Sequence, residues 1–181
     1  MLLQWSAPEY MPHSFQVSGL SGTVGHKQTG NCFDLTKQVA DGFVGMQELS
    51  KGLFLVQSEM AFKRETELYE EYPERKVFQL SFCMNGICEW DYRQKQGEHY
   101  QLSPTQCSLQ CGTFSQCVSH FGSEQPYHTL SISLEEGRFS SLTEDLEAAH
   151  LIRRDDKICT HVFSTTPEIR LVLQQLLDCP P

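Results

Sequence analysis

Basic residues are scarce: 14 Lys and Arg stand against 23 Asp and Glu in 181 residues, a net charge of −9. Gripping duplex DNA requires a run of Lys and Arg to neutralise phosphates, so these residues are not expected to hold DNA themselves. Long apolar runs are also missing, and nothing approaches the roughly 18 residues a membrane-crossing helix needs. Met1–Tyr10 carries no basic residue, and its apolar stretch falls short of the about 7–15 residues at the centre of a secretion signal. The eight cysteines therefore read as reduced thiols of a cytoplasmic protein rather than as a disulfide framework. Gly-x-Ser-x-Gly and a phosphate-cradling glycine-rich loop are absent; Gly19-Leu-Ser-Gly22 imitates the first only superficially. No nucleophile system emerges, and no enzyme is expected.

What is present is alternation. Residues 1–42, broken by Pro8, Pro12, Gly19, Gly22, Gly25 and Gly30, read as an irregular lead-in with one or two short strands. From Phe43 the period approaches two. Phe54, Val56, Met60 and Phe62 share one face of Leu53–Phe62, with Gln57 and Glu59 on the other. Phe78, Leu80, Phe82 and Met84 alternate up to Asn85-Gly86, the preferred dipeptide of a two-residue turn, and Cys88, Trp90 and Tyr92 alternate beyond it, which predicts a hairpin. Further strands are expected near Glu98–Leu102, Cys107–Cys111, Gln116–Phe121 and His128–Leu134, a spacing that points to a barrel or sandwich. Two helices close the chain. One is expected to start at the capping box Ser141-Leu-Thr-Glu144, with Leu142, Leu146 and Ala149 as its stripe. The other runs over Pro167–Asp178, capped by Thr166, with Ile169, Val172, Leu173, Leu176 and Leu177 on one face.

Thr165-Thr166-Pro167-Glu168-Ile169-Arg170, followed by Gln174-Gln175-Leu176-Leu177-Asp178-Cys179-Pro180, resembles the tail of the sensor domain of AraC-family transcriptional regulators of the pyochelin-regulator (PchR-like) type. Phe78–Gly86 resembles that family's apolar strand ending in glycine, and Leu130-Ser-Ile-Ser-Leu134 with Phe139 its strand before the first helix. His99-Tyr-Gln-Leu-Ser-Pro104 is similar to its Leu-x-Pro-Gly turn, with Thr105 where the glycine belongs. The similarity spans roughly Phe43 to Pro180. It implies an α+β domain: a cupin-like antiparallel β-barrel or sandwich over 43–134, then a helical segment over 135–181 leading to a DNA-binding half beyond it. DNA would be contacted only through that half. The resemblance also implies a small effector, in this branch often a ferric siderophore; the helix Pro167–Asp178 is the candidate for passing its signal or for pairing with a second copy in a homodimer, the competing reading being an ordinary packed helix.

Its binding residues do not carry over by motif. The alternation nominates Phe54, Met60, Phe62, Phe82, Trp90 and Tyr92 as a pocket wall, because ligand pockets are mostly apolar and aromatic; the competing reading is that these residues only fill the core. His128 shares a face with Leu130, Ile132 and Leu134 and is a candidate anchor, although a strand-end histidine more commonly bonds to backbone. No metal ligands are assigned. The His-x-His with a following Glu that a metal-dependent cupin enzyme needs is missing, and Cys107 and Cys111, on one strand, would stand about 13 Å apart. The rival readings are a cupin-like metal-binding enzyme or carrier, and a structural module with no pocket.

Overall fold

The computed structural model describes residues 40–93, 97–123, 125–134, 136–152 and 158–178, together with four short strand segments nearer the N-terminus. Those four are β1 (Leu2–Gln4), β2 (Ser14–Val17), β3 (Gln28–Thr29) and β4 (Cys32–Asp34). They are followed by β5 (Ala40–Ser50), β6 (Leu53–Phe62), β7 (Thr66–Asn85), β8 (Cys88–Tyr92), β9 (His99–Leu102), β10 (Gln106–Phe121) and β11 (Pro126–Leu134). Helix α1 (Glu136–Ala148), strand β12 (Ile158–Ser164) and helix α2 (Pro167–Asp178) complete the chain. Among the described residues all the strand pairings are antiparallel, and the twelve strands are hydrogen-bonded into one continuous sheet.

Two long strands turn that sheet into two layers. The C-terminal part of β7 pairs with β11 and with the first part of β10, while its N-terminal part pairs with β2 and the last part of β10. At the bend the β10 register slips between Phe114 and Gln116, and a bulge of this kind reverses which side chains point inward. Ser108 and Gln110 lie inward before it, Cys117 and Phe121 after it. One layer is therefore β5–β6–β11–β7–β10–β12; the other carries β8 and β9 on the far part of β10.

The architecture is a β-sandwich with two short helices, so the α+β expectation overstates the helical share. Three local expectations are corrected as well. The Asn85-Gly86 turn is present, with Gly86 at φ +80, but β7 and β8 do not pair across it. β8 instead pairs with β9 and β10, and the corner carries the chain from one layer to the other. Gly86 is required there, since a Cβ would sit 2.7 Å from the Pro126 carbonyl oxygen. Helix α1 starts at Glu136, five residues before the expected capping box, leaving Ser141 exposed within the helix. It ends in a Schellman turn: His150 adopts φ 58, its N–H donates to Glu147 O, and Leu151 N donates to Leu146 O. The third correction is β12, a strand inside the segment 135–181 read as helical.

Thr105 stands in the left-handed region at φ 83, the conformation the related turn assigns to glycine. A β-branched residue there is strained. The turn persists because Gln106 N donates to Ser103 O at 3.0 Å, while the amide and hydroxyl of Thr165 both donate to Thr105 O at 2.8 Å. Thr105→Gly is expected to raise stability by about 0.5–1 kcal/mol, read as a higher urea midpoint at unchanged m-value.

Candidate functional site

The central strands β7, β10 and β11 of the first layer have two covered faces, and they differ in chemistry. On the outer one, Phe82, Cys107 and Leu130 pack under Leu173 of α2, with Leu55, Leu80, Ile132 and Leu177 around them. Phe78, Leu109 and Cys111 pack with Ile152 beside Leu142 and Leu146 of α1. The helices thus cover the apolar face of β7, β10 and β11.

The opposite face looks between the layers and is rich in hydroxyls and amides. Ser58, Ser81, Ser108, Gln110 and Ser131 are all buried there. They bond to one another and to their neighbours: Ser58 Oγ lies 2.5 Å from Thr129 Oγ1, Ser131 Oγ donates to Ser81 Oγ at 2.9 Å, and Gln79 Nε2 donates to Ser81 at 2.9 Å. Burying polar groups costs free energy unless they are paired, and mutual pairing leaves spare lone pairs that a guest can use.

Aromatic side chains form the rest of the interior. Trp90, Tyr92, Leu102, Cys83, Cys117 and Ile158 make one cluster, with Tyr100 stacked on Trp90 at 5.6 Å between ring centroids. Met60, Phe62 and Tyr127 make another, with Phe62 stacked on Phe121 at 4.3 Å. Burial pushes the Tyr92 phenol well above its ordinary range, offset in part by the neighbouring Thr160 hydroxyl and Trp90 indole. Those two groups, Trp90 Nε1 and Thr160 Oγ1, are buried beside it. Cys83 and Cys88 are hydrogen-bonded thiols on the same wall; the bond from Cys88 holds the Cys83 thiol down and pushes that of Cys88 up.

The seven residues nominated from the sequence divide between the two faces. Phe54, Met60, Phe62, Trp90 and Tyr92 are buried on the interior side. Phe82 lies on the helix-covered face against Leu173, and His128 shares that face, its Nε2 3.4 Å from the Gln57 side-chain nitrogen. Sequence reasoning missed Ser58, Ser81, Ser108, Gln110, Ser131, Thr160 and Tyr100. The signal the sequence offers is the Ser-x-Ser alternation in Leu130-Ser-Ile-Ser-Leu134, whose polar half faces opposite to its apolar half. Among the described residues, one group of three metal-ligating side chains converges, Asp91, His99 and His120, and it lies on the outer surface.

Residues 41–181 match the family model of the regulatory protein PchR N-terminal domain. The chain belongs to that family. It is thus the N-terminal, PchR-type domain of a regulatory protein. Its fold is shared by the AraC-like transcriptional activator CuxR, at TM-score 0.51 and 8% identity over 91% of this chain and 50% of that one. ToxT from Vibrio cholerae matches at TM-score 0.48 and 10% identity, over 70% of this chain and 47% of that one. A variant of oxalate decarboxylase from B. subtilis matches at TM-score 0.37 and 11% identity, over 84% of this chain and 38% of that one. The PchR-type domain spans about half the length of the two regulators. Comparison with curated proteins gives no significant match. No helix among the described residues is long and apolar enough to cross a membrane.

Proposed function

We propose that this PchR-type domain is an effector sensor: a small molecule with aromatic and oxygen-rich parts, of the ferric siderophore class, enters the space between the layers. Its presence would be read by α2 and passed to a DNA-binding half. The observation that carries this reading is the interior lined by buried Ser58, Ser81, Ser108, Gln110 and Ser131 beside Trp90, Tyr92 and Tyr100. A sandwich needing only cohesion would fill its interior with aliphatic side chains, whereas aromatic groups beside a few placed polar ones suit recognition.

The route outward follows from strand alternation. Ser81 and Ser131 face the interior, while their chain neighbours Phe82 and Leu130 face Leu173 of α2. A guest that moves the serines by a few tenths of an ångström moves the seat of the helix. The Thr165–Thr105 hydrogen bonds tie the start of α2 to the β9–β10 turn. Ile169, Leu171, Val172 and Leu176 of α2 remain exposed, an apolar surface for the DNA-binding half or a second copy. Signalling requires an effector that prefers one arrangement over the other, since equal affinity shifts nothing.

A metal-dependent cupin-like enzyme would need three or four inward His, Asp or Glu ligands. The inward side chains named above offer Ser, Thr, Gln, Cys and aromatic groups instead.

Ferric pyochelin titrated into a Trp5→Phe background, which leaves Trp90 as the tryptophan reporter, tests the proposal. Saturable quenching that weakens about tenfold in Thr160→Val, an isosteric loss of one interior hydroxyl, is the expected result. Absence of saturable quenching up to the solubility limit removes the siderophore assignment. Quenching that Thr160→Val leaves unchanged removes the interior as the site.

A further inference from the structure

On the outer surface of the second layer, three neighbouring strands each present one metal-ligating side chain at a common point. Asp91 of β8 lies opposite His99 of β9 in the ladder, and His120 of β10 sits diagonally across, since β10 places Val118 opposite Asp91. Antiparallel strands about 4.8 Å apart bring such side chains together without any loop. His99 Nδ1 is 3.0 Å from Asp91 Oδ1, and His120 Nε2 is 2.6 Å from Asp91 Oδ2. One donor atom from each of the three lies within 4.8 Å of the others.

We propose that Asp91, His99 and His120 bind a borderline divalent transition-metal ion of the zinc, cobalt or nickel class. Two imidazoles and one carboxylate match the donor preference of these ions, whereas magnesium and calcium require oxygen ligands. Donor atoms around such an ion sit about 2.0–2.2 Å from it, hence roughly 3.3 Å apart if tetrahedral, which small side-chain rotations reach from the observed spacing. A second observation supports the site. The remaining ring nitrogen of His120, Nδ1, faces Glu67 Oε1 of β7 at 3.7 Å. A carboxylate behind a ligating histidine orients the ring and raises its basicity.

Three protein ligands leave at least one position for water or a further ligand, and all three side chains are partly open to solvent. The bound ion would fasten β9 to β8 and β10 on the outside of the layer that carries Trp90 and Tyr100 on its inside. The site stands apart from the interior and is independent of what binds there.

Cobalt(II) distinguishes this site from the cysteines. Titrated into the protein, it should bind in one equivalent with d–d bands and without the near-ultraviolet charge-transfer absorption of thiolate ligation, and zinc should displace it. His99→Gln and His120→Gln should each weaken binding by about a hundredfold, and Glu67→Gln by about tenfold, with metal-free melting temperatures little changed because the groups are exposed. Added zinc should raise the melting temperature of the wild type and of neither histidine variant. Wild-type affinity in both histidine variants, a thiolate spectrum, or no saturable binding would each overturn the proposal. Should a histidine variant fold poorly, Glu67→Gln carries the same decision through its affinity.

Discussion

Leu130→Ala is expected to destabilise the domain by about 2–5 kcal/mol, the range for removing a fully buried leucine from a core that cannot collapse around the gap. Leu130 is 0% exposed and packs with Phe82, Cys107 and Leu173. Two consequences separate this residue from an ordinary core leucine. Among the described side chains of α2, Leu173 alone is buried, so the gap opens beneath the helix's main point of attachment. Backbone amides of α2 should then exchange faster than those of α1 under conditions where the sheet remains folded, measured by native-state hydrogen exchange. If α1 and α2 lose protection together and only through global unfolding, the helix is not separately seated on this cluster. The route from interior to helix would then lose its physical basis.

Above about pH 10 the domain should lose stability through its interior phenols, Tyr92 foremost. Burial raises the folded-state pKa of Tyr92, and Tyr100 and Tyr127 are raised for the same first reason. Below the unfolded value of about 10 both states keep the proton and no pH dependence arises from this source. Above it the unfolded chain ionises while the folded one does not, so unfolding becomes easier by up to about 1.4 kcal/mol per pH unit for each such group. Urea midpoints measured at rising pH should fall accordingly, and Tyr92→Phe should make the fall shallower, not abolish it. Tyrosinate absorbance should show a fraction of the six tyrosines appearing only with unfolding. A titration in which all six ionise together near pH 10 in the folded protein would show that water reaches Tyr92.

Much of the fold is legible because the chain alternates. The bounds of β6 follow from Leu53–Phe62, and α2 follows from Thr166 as cap, Pro167 in the first turn and the apolar stripe. Ile169 N lies 3.4 Å from Thr166 Oγ1, as the capping reading requires. The errors share one cause, which is that local pattern does not say what covers a surface. Asn85-Gly86 reads as a hairpin, yet β8 finds more to bury against β9 and β10 than against β7. Helix α1 starts at Glu136, upstream of its apparent capping box, while Leu142 and Leu146 of the expected stripe pack against the cluster of Phe78 and Leu109.

The candidate site shows the same limit more sharply. In Leu130-Ser-Ile-Ser-Leu134 the apolar residues are naturally taken as the ones facing inward. The structure places Leu130 and Ile132 toward α2 and Ser131 toward the interior, because helices cover the outer face and leave the polar one enclosed.

Composition and period alone determined that this is an acidic, β-rich domain closed by a helix, with strands whose two faces differ in chemistry. Those properties are local: a side-chain period of two and a charge balance survive whatever the chain does elsewhere. Which face became the interior, and which three strands would bring Asp91, His99 and His120 to one point, depended on pairing between residues far apart in sequence, 29 positions for Asp91 and His120 and 71 for Ser58 and Thr129. Only the folded register supplies that, since a slip of one residue sends every side chain to the opposite face.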